Sequence, residues 1–460
     1  MRYAKAKSWA SSIWSAKYSR PVLYPRRSAL ALTAVRTVGY PEVETLPTEK
    51  RKGLRALWFD GLFTSMATGF VDPYYTLYML NLHASNAQIG LVNALSQFSG
   101  AVTAIPGALL AERSGRYKQV WLVAGFLSRA MWLVMLVAPW VLRDSGAVWL
   151  VLAAWVAFTA ITIFGTPAWA AVTADLVPAK VRGSYFASRN MIMHLAQLLA
   201  IPVAGLFVSK IGEPGGYQAN LGFAFALGMI SLYLFRQLPE HVSAPQAIHH
   251  NLRQTFHAAM RMPTFVHFLT AHSIFHLGVM IGGPFINVYM VQEAGFNVST
   301  IGFSTTVGVF ASLIGMRMLG RLHDRHGIIW TMRFGLGVPL IPVAYLWVNQ
   351  PWQAYVISVL SAFTWAGYNL GAFNLLLAST PDEHRPHYIA IHTTVVSVVG
   401  AMGPILGGGL LDAVGYRPVF GLSFVGRALG LVLLFVLVHE PEAADDASVA
   451  GADLDEALTP

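Results

Sequence analysis

Residues 108–118 read ALLAERSGRYK, and residues 320–329 read GRLHDRHGII. Laid over each other, Glu112-Arg113-x-Gly115 falls on Asp324-Arg325-x-Gly327, an offset of 212 residues. Each copy closes one long apolar run and opens another. An acid, a base and a glycine in that order suit a tight turn between two buried helices. Glycine accepts a left-handed backbone, and the charged residues can pair or cap helix ends. A turn of this kind, occurring twice, makes the chain read as a duplication.

Moving outward, the repeat widens. Pro73-x4-Tyr78-Met79 returns as Pro284-x4-Tyr289-Met290, and Ile89-Gly90 as Ile301-Gly302. Pro178-x3-Arg182-x2-Tyr185 returns as Pro381-x3-Arg385-x2-Tyr388. Self-similarity at a long fixed offset indicates two structurally equivalent halves.

Composition says what surrounds them. Of 460 residues 55% are hydrophobic and 12% charged, against roughly 25% charged in a soluble domain. Apolar runs long enough to cross a bilayer, about 17–25 residues each, recur throughout. The fold class expected is therefore an all-α membrane protein with twelve transmembrane helices in two homologous six-helix bundles. The spans read at about 54–80, 88–110, 118–142, 146–174, 186–210, 219–238, 264–291, 298–320, 330–348, 352–378, 387–411 and 417–438. The corresponding divisions are a basic disordered extension (1–53), a first half (54–238), a cytoplasmic linker (239–263), a second half (264–438) and an acidic disordered tail (439–460).

A net charge of +9 suggests nucleic acid until it is located. Eight of the bases lie in residues 1–40, which hold no acid, and the remainder balances at 23 bases against 22 acids. No nucleic-acid partner is expected. With no cysteine, thiolate metal sites, disulfides and cysteine nucleophiles are excluded. No cofactor and no metal are expected.

Loop charge orients the chain. With both termini inside, the inner loops carry fourteen Lys/Arg: Arg113, Arg116, Lys118, Lys180, Arg182, Arg189, Arg236, Arg253, Arg261, Arg317, Arg321, Arg325, Arg333 and Arg385. The outer loops carry three, Arg143, Lys210 and Arg417. That asymmetry satisfies the positive-inside rule. The expected location is the cell (inner) membrane, multi-pass, with both termini cytoplasmic.

The paired turns resemble the loops between helices 2 and 3, and 8 and 9, of the major facilitator superfamily, Gly-x-Leu-x-Asp-Arg-x-Gly-Arg-Lys. The second copy keeps Gly320, Leu322, Asp324, Arg325 and Gly327, with Ile328 where the next Arg would stand. The first keeps Leu110, Arg113, Gly115 and Arg116, with Ala108 for the leading Gly and Glu112 for Asp. The resemblance covers about 54–440. It implies a substrate path between the halves, lined mainly by spans 54–80, 146–174, 264–291 and 352–378. It also implies a cytoplasmic gate at Glu112, Arg113, Gly115, Arg116, Gly320, Asp324, Arg325 and Gly327. A Gly/Pro run like Gly400-x2-Gly403-Pro404-x2-Gly407-Gly408-Gly409 marks helix 5 of the family's drug exporters. Here it stands in the eleventh span, which counts against an exporter and suits tight helix packing.

Ionisable groups inside spans are costly, and the duplication sorts them. Asp72 falls on Gly283, so the scaffold does not require an acid there; it reads as a proton-coupling site, a substrate contact or a partner for a nearby polar group. Asp60, about 120° away round the same helix, reads as a structural pair, with Arg129 a candidate partner. Arg427 has no acid near it in sequence. His272 and His276 share one helical face and suit cavity hydrogen bonds, proton handling or, least of all, a metal. Trp365 and Asn369 offer amphipathic lining.

The function expected is secondary active transport of a small organic solute by alternating access, coupled to protons, by a monomer. Export and sugar-like import both stay open, as does a non-transporting receptor or scaffold on the same fold. No P-loop and no nucleophile–base arrangement are present, so neither ATP-driven transport nor an enzyme is expected.

Overall fold

The computed structural model describes residues 48–142, 145–178, 182–239, 256–257, 259–380 and 385–438. The tail 439–460 and most of the 1–53 extension and the 239–263 linker lie outside the described residues.

Where the apolar runs are unbroken, they form single long helices, because in lipid each backbone N–H and C=O must be satisfied within its own segment. Pro106, Pro139, Pro167, Pro202 and Pro404 lie inside continuous helices, whereas the segments holding Pro73, Pro284 and Pro339 break. The first segment starts at Thr48, six residues before the expected 54, and runs as α1 (Thr48–Val71) and α2 (Tyr75–Asn81). The break falls at Pro73, whose missing N–H cannot continue the ladder. The segments that follow are α3 (Asn86–Ser114), α4 (Tyr117–Val141), α5 (Ser145–Leu176), α6 (Arg182–Ile211) and α7 (Gly215–Arg236). The second half opens with α8 (Pro263–Gly282) and α9 (Ile286–Gln292), joined by a 3-10 turn at Gly283–Phe285. That turn holds Pro284, the repeat partner of Pro73. Next come α10 (Val298–His326), α11 (Ile328–Met332), a 3-10 stretch (Arg333–Gly337) and α12 (Leu340–Tyr345). The half ends with α13 (Pro351–Ala378), α14 (Arg385–Val414) and α15 (Tyr416–Leu437).

Among the described residues, ten helical stretches are long and apolar enough to cross a membrane. The first segment, with its charged start, and the ninth, α11–α12, complete the twelve. In the ninth, Gly335 sits so close to α13 that a β-carbon there would meet Tyr368 at 3.1 Å. The close approach and Pro339 account for a kinked segment in place of a straight helix.

Six described residues have a left-handed backbone, and they pair off between the halves. Gly115 (φ 62°) and Gly327 (φ 85°) are the glycines of the duplicated turn. Gly115 caps α3, its N–H donating to the carbonyls of Ala111 and Glu112. Gly212 (φ 87°) and Gly415 (φ 78°) end α6 and α14, while His83 (φ 65°) and Gly295 (φ 67°) turn the chain into α3 and α10. The same backbone is thus written twice, once with a histidine where glycine is the natural choice.

Twelve crossings bring the end of α15 back to the end where α1 begins; this is called the near end and the opposite one the far end. Across the halves, α3 packs on α14 and α6 on α10. A β-carbon on Gly90 would collide with the carbonyl of Pro404, and one on Gly408 would lie 2.5 Å from the carbonyl of Asn86. At the other seam the Tyr74 hydroxyl donates to the carbonyl of Ile201 at 2.6 Å and fills the space beside Gly205 and Gly302. These residues all belong to the far portions of their helices. The halves are joined there.

Candidate functional site

Because the far ends are joined, the space between the halves begins beneath them. A cavity of about 740 Å³ is lined from the first half by Tyr75, Asn93, Gln97, Trp155 and Thr159, among others. The second half supplies Met280, Pro284, Ala390, Thr393, Thr394 and Ser397. Its walls are positioned by ordinary packing. Tyr75 stacks on Trp155 with ring centroids 3.8 Å apart and planes 6° from parallel. The Tyr75 hydroxyl donates to Asn93 Oδ1 at 2.8 Å, and the Asn93 amide donates in turn to the carbonyl of Ile89. Gln97 reaches across to Met280 Sδ at 3.3 Å. Among the described residues, no charged side chain lines this cavity. Aromatic faces with amides and hydroxyls can hold a neutral or amphipathic organic molecule by stacking and a few directed bonds.

A second cavity of about 490 Å³ lies at the other seam, among His194 of α6, Ser304, Thr305 and Ser312 of α10, and Trp365 and Asn369 of α13. Trp365 and Asn369 therefore line an inter-half space, but a different one from Trp155. The expected emphasis on the first, fourth, seventh and tenth spans is only partly met: α3 and α14 supply much of the larger cavity. An apolar recess of about 490 Å³ among α3, α4 and α5 draws on the first half alone and is not part of the seam.

Asp60 and Asp72 have different surroundings. Asp60 is buried and accepts from the Ser231 hydroxyl at 2.7 Å. Its second oxygen lies 3.5 Å from the Arg189 guanidinium, the one ion pair among the described residues. Arg129 joins only indirectly, donating to Ser231 at 3.3 Å. Arg189, counted above as a loop cation, is in fact buried in the bundle, beside Gly61, whose missing β-carbon leaves it room. Asp72, at the end of α1, is exposed, and its carboxylate has no hydrogen-bond partner among the described residues. It stands one turn before the cavity residue Tyr75, though it is not itself part of the lining.

Arg427 serves the second half as Arg129 serves the first. It is buried with no acidic partner among the described residues and donates to Ser423, to the carbonyl of Val338 and to that of Val279, joining α15 to the ninth segment and α8. His272 and His276 lie on α8 facing α14: the His272 ring is 4.9 Å from that of His392, and His276 fills the space above Gly400. No group of three or more metal-ligating side chains occurs among the described residues. At the near end Glu112, Arg113, Gly115 and Arg116 are all exposed. The helix carrying Gly320 has open space where a β-carbon would stand. The side chains of Asp324 and Arg325 lie outside the described residues, and Gly327 caps their helix.

Residues 57–280 and 268–459 match the sequence profile described as the Major Facilitator Superfamily. The chain belongs to the major facilitator superfamily. Among curated relatives, multidrug resistance protein MdtG of a Rahnella strain is 24% identical over 396 residues, covering 83% of this chain and 92% of that one. An uncharacterised protein YqgE of Bacillus subtilis is 25% identical over 182 residues. That alignment, like the one to MdtG of Salmonella dublin, spans about two fifths of the relative's length. Among solved structures, a point mutant of nucleoside transporter NupG superposes with a TM-score of 0.66 at 13% identity, covering 84% of this chain and 98% of that one. A bacterial homologue of the lysosomal transporter Spinster, in an inward-facing and unoccupied conformation, gives 0.61 at 15% identity, covering 85% and 95%. At such identities the superfamily fold is what these structures share with this chain.

Histidine 392 escaped the sequence reading, as did Tyr75, Asn93, Gln97, Thr393 and Ser397. The spacing of Asn93 and Gln97, one turn apart on an otherwise apolar helix, is the signal that marks a polar stripe facing a cavity. Arg189 carried no such signal, because it lies within a turn of a loop.

Proposed function

We propose that the chain is a secondary transporter that carries a neutral or amphipathic organic solute by alternating access, with proton coupling through Asp72. The supporting observation is the 740 Å³ cavity lined by both halves and closed over at the far end by the α3–α14 and α6–α10 contacts. A cavity shared by two bodies that touch at one end changes its exposure when they rock about it. Likeness to a multidrug resistance protein and to a nucleoside transporter supports a solute of this size class. The loop charge bias supports a cytoplasmic near end and an inner-membrane location. On this reading the structure is in its inward-open form, and the duplicated turns with Glu112, Arg113, Asp324 and Arg325 engage when the near end closes. The protein is a carrier rather than an enzyme, and a monomer suffices because each chain supplies both halves.

The test is reconstitution in sealed liposomes with an imposed pH gradient and a panel of labelled nucleosides, dipeptides, sugars and cationic dyes. At least one compound should cross faster than in protein-free liposomes. Equal rates for the whole panel, with correctly folded protein in the membrane, would count against transport.

A further inference from the structure

Three buried polar atoms without hydrogen-bond partners belong to rings that lie close together inside the second half: His272 Nδ1, His392 Nε2 and the Tyr368 hydroxyl. They come from three helices, α8, α14 and α13. The His272 ring centroid lies 4.9 Å from that of His392 and 5.8 Å from that of Tyr368. His392 is 8% exposed and Tyr368 2%. Orphaned polar atoms in a membrane interior are expensive, and three in one place are not a packing accident of a single side chain.

The surroundings suit one positive charge. Phe268 stacks on the His392 ring at 5.3 Å, an arrangement that favours a cation on the imidazole. Of the other titratable or charged groups described on the helices packed here, His267 on α8 and Arg417 on α15 are exposed. His276 stands one turn along α8, Tyr388 one turn along α14, and Arg427 on α15 is engaged by Ser423, Val338 and Val279. The acid on these helices, Asp412, is at the far end of α14, roughly 30 Å of helix from His392. Two imidazolium rings in contact in a low-dielectric interior repel strongly, so the pair takes one proton and not two. His272 is only half-buried although its Nδ1 is covered, and Thr393, next to His392, lines the large cavity.

We propose that His272, His392 and Tyr368 form a single-proton site within the second half, in which one proton from cavity water is shared by the two imidazoles and later returned to water. The site is separate from Asp72. Its use in coupling rests on the transport reading above; its existence does not.

The full chain in lipid nanodiscs, labelled with 15N-histidine, tests this without any substrate. His272→Gln and His392→Gln assign the two rings in solid-state NMR spectra taken across a pH series. The wild-type pair should take up one proton at a midpoint at least tenfold higher in affinity than the ring left in either single variant. Tyr368→Phe keeps the packing on Phe275 and should also lower that midpoint, which covers the case of a histidine variant that fails to fold. The proposal is overturned if the remaining ring titrates as in the wild type, if both rings protonate together, or if neither titrates between roughly pH 4 and 9. Transport of the compound panel is unaffected as a question by any of these results.

Discussion

Asp412, at the end of α14, accepts a hydrogen bond from the side-chain amide of Asn86 at 2.9 Å, across the boundary between the two halves. Its second oxygen lies 3.3 Å from the backbone N–H of Ala87. A carboxylate of the second half thus caps the start of a 29-residue helix of the first, where the unsatisfied N–H groups concentrate positive potential. Asp412→Ala should loosen the far end. Capping and charge–dipole contributions of on the order of 1 kcal/mol correspond to a several-fold rise in the far-open population. Spin-label distances between the far ends of α3 and α14 would register it, and an unchanged distribution would remove the latch from the account.

The other seam depends on Tyr74 and two glycines. A β-carbon at Gly205 would lie 2.9 Å from the Tyr74 hydroxyl. Gly205→Ala should therefore impair packing at the far end and slow transport. Tyr74→Phe, which removes that hydroxyl, should recover much of the loss when combined with it. Simple additivity of the two changes would show that the residues do not meet in the working protein.

The two acids of the first segment should separate in their effects. Asp60→Ala leaves the Arg189 guanidinium buried and unpaired, at a cost of about 3–5 kcal/mol, and should lower thermal stability markedly. Asp72→Asn should leave stability within about 0.5 kcal/mol, as for an exposed residue with no partner. It should abolish accumulation driven by a pH gradient while sparing exchange between equal compartments. Thermal melts and liposome assays on both variants decide it; pH-driven accumulation that survives in Asp72→Asn assigns coupling elsewhere.

His83 occupies a left-handed position that its repeat partner gives to Gly295. A side chain there costs roughly 1 kcal/mol, partly offset by the freedom glycine loses on folding. His83→Gly should be neutral to mildly stabilising, whereas Gly295→Ala should destabilise by about 1 kcal/mol. Paired unfolding measurements in one detergent would show whether the signs differ.

Absence of native cysteine gives a clean background for topology. A single cysteine at Ser114 should react with a membrane-impermeant reagent only from the cytoplasm, and one at Gln350, on the opposite end, only from outside. Labelling of both from the same side would overturn the twelve-segment topology.

Much of this architecture was legible because it is local or repeated. Apolar length sets the segments and Gly115 and Gly327 announce tight turns, whereas the spans at 54–80 and 264–291 read as continuous and break at Pro73 and Pro284. What could not be read depends on contacts between distant residues. Asp60 reads as an acid in search of a base, and Arg129 as well placed to be that base. Arg189, on a helix 129 residues away, is the one that reaches it. His392 is similar: nothing in its neighbourhood shows that His272 lies against it. His83 went unnoticed because a histidine does not advertise a positive φ.

Glycine-to-backbone contact at the far end also determines how well the protein insulates. At Gly90 against Pro404 and Gly408 against Asn86 the helices approach too closely to leave a file of water between them. A carrier sealed in this way can hold its cavity open to one compartment without short-circuiting the membrane. Substituting bulk at either glycine would prop the seam apart and give an uncoupled leak of small ions, a defect that solute flux alone would not disclose.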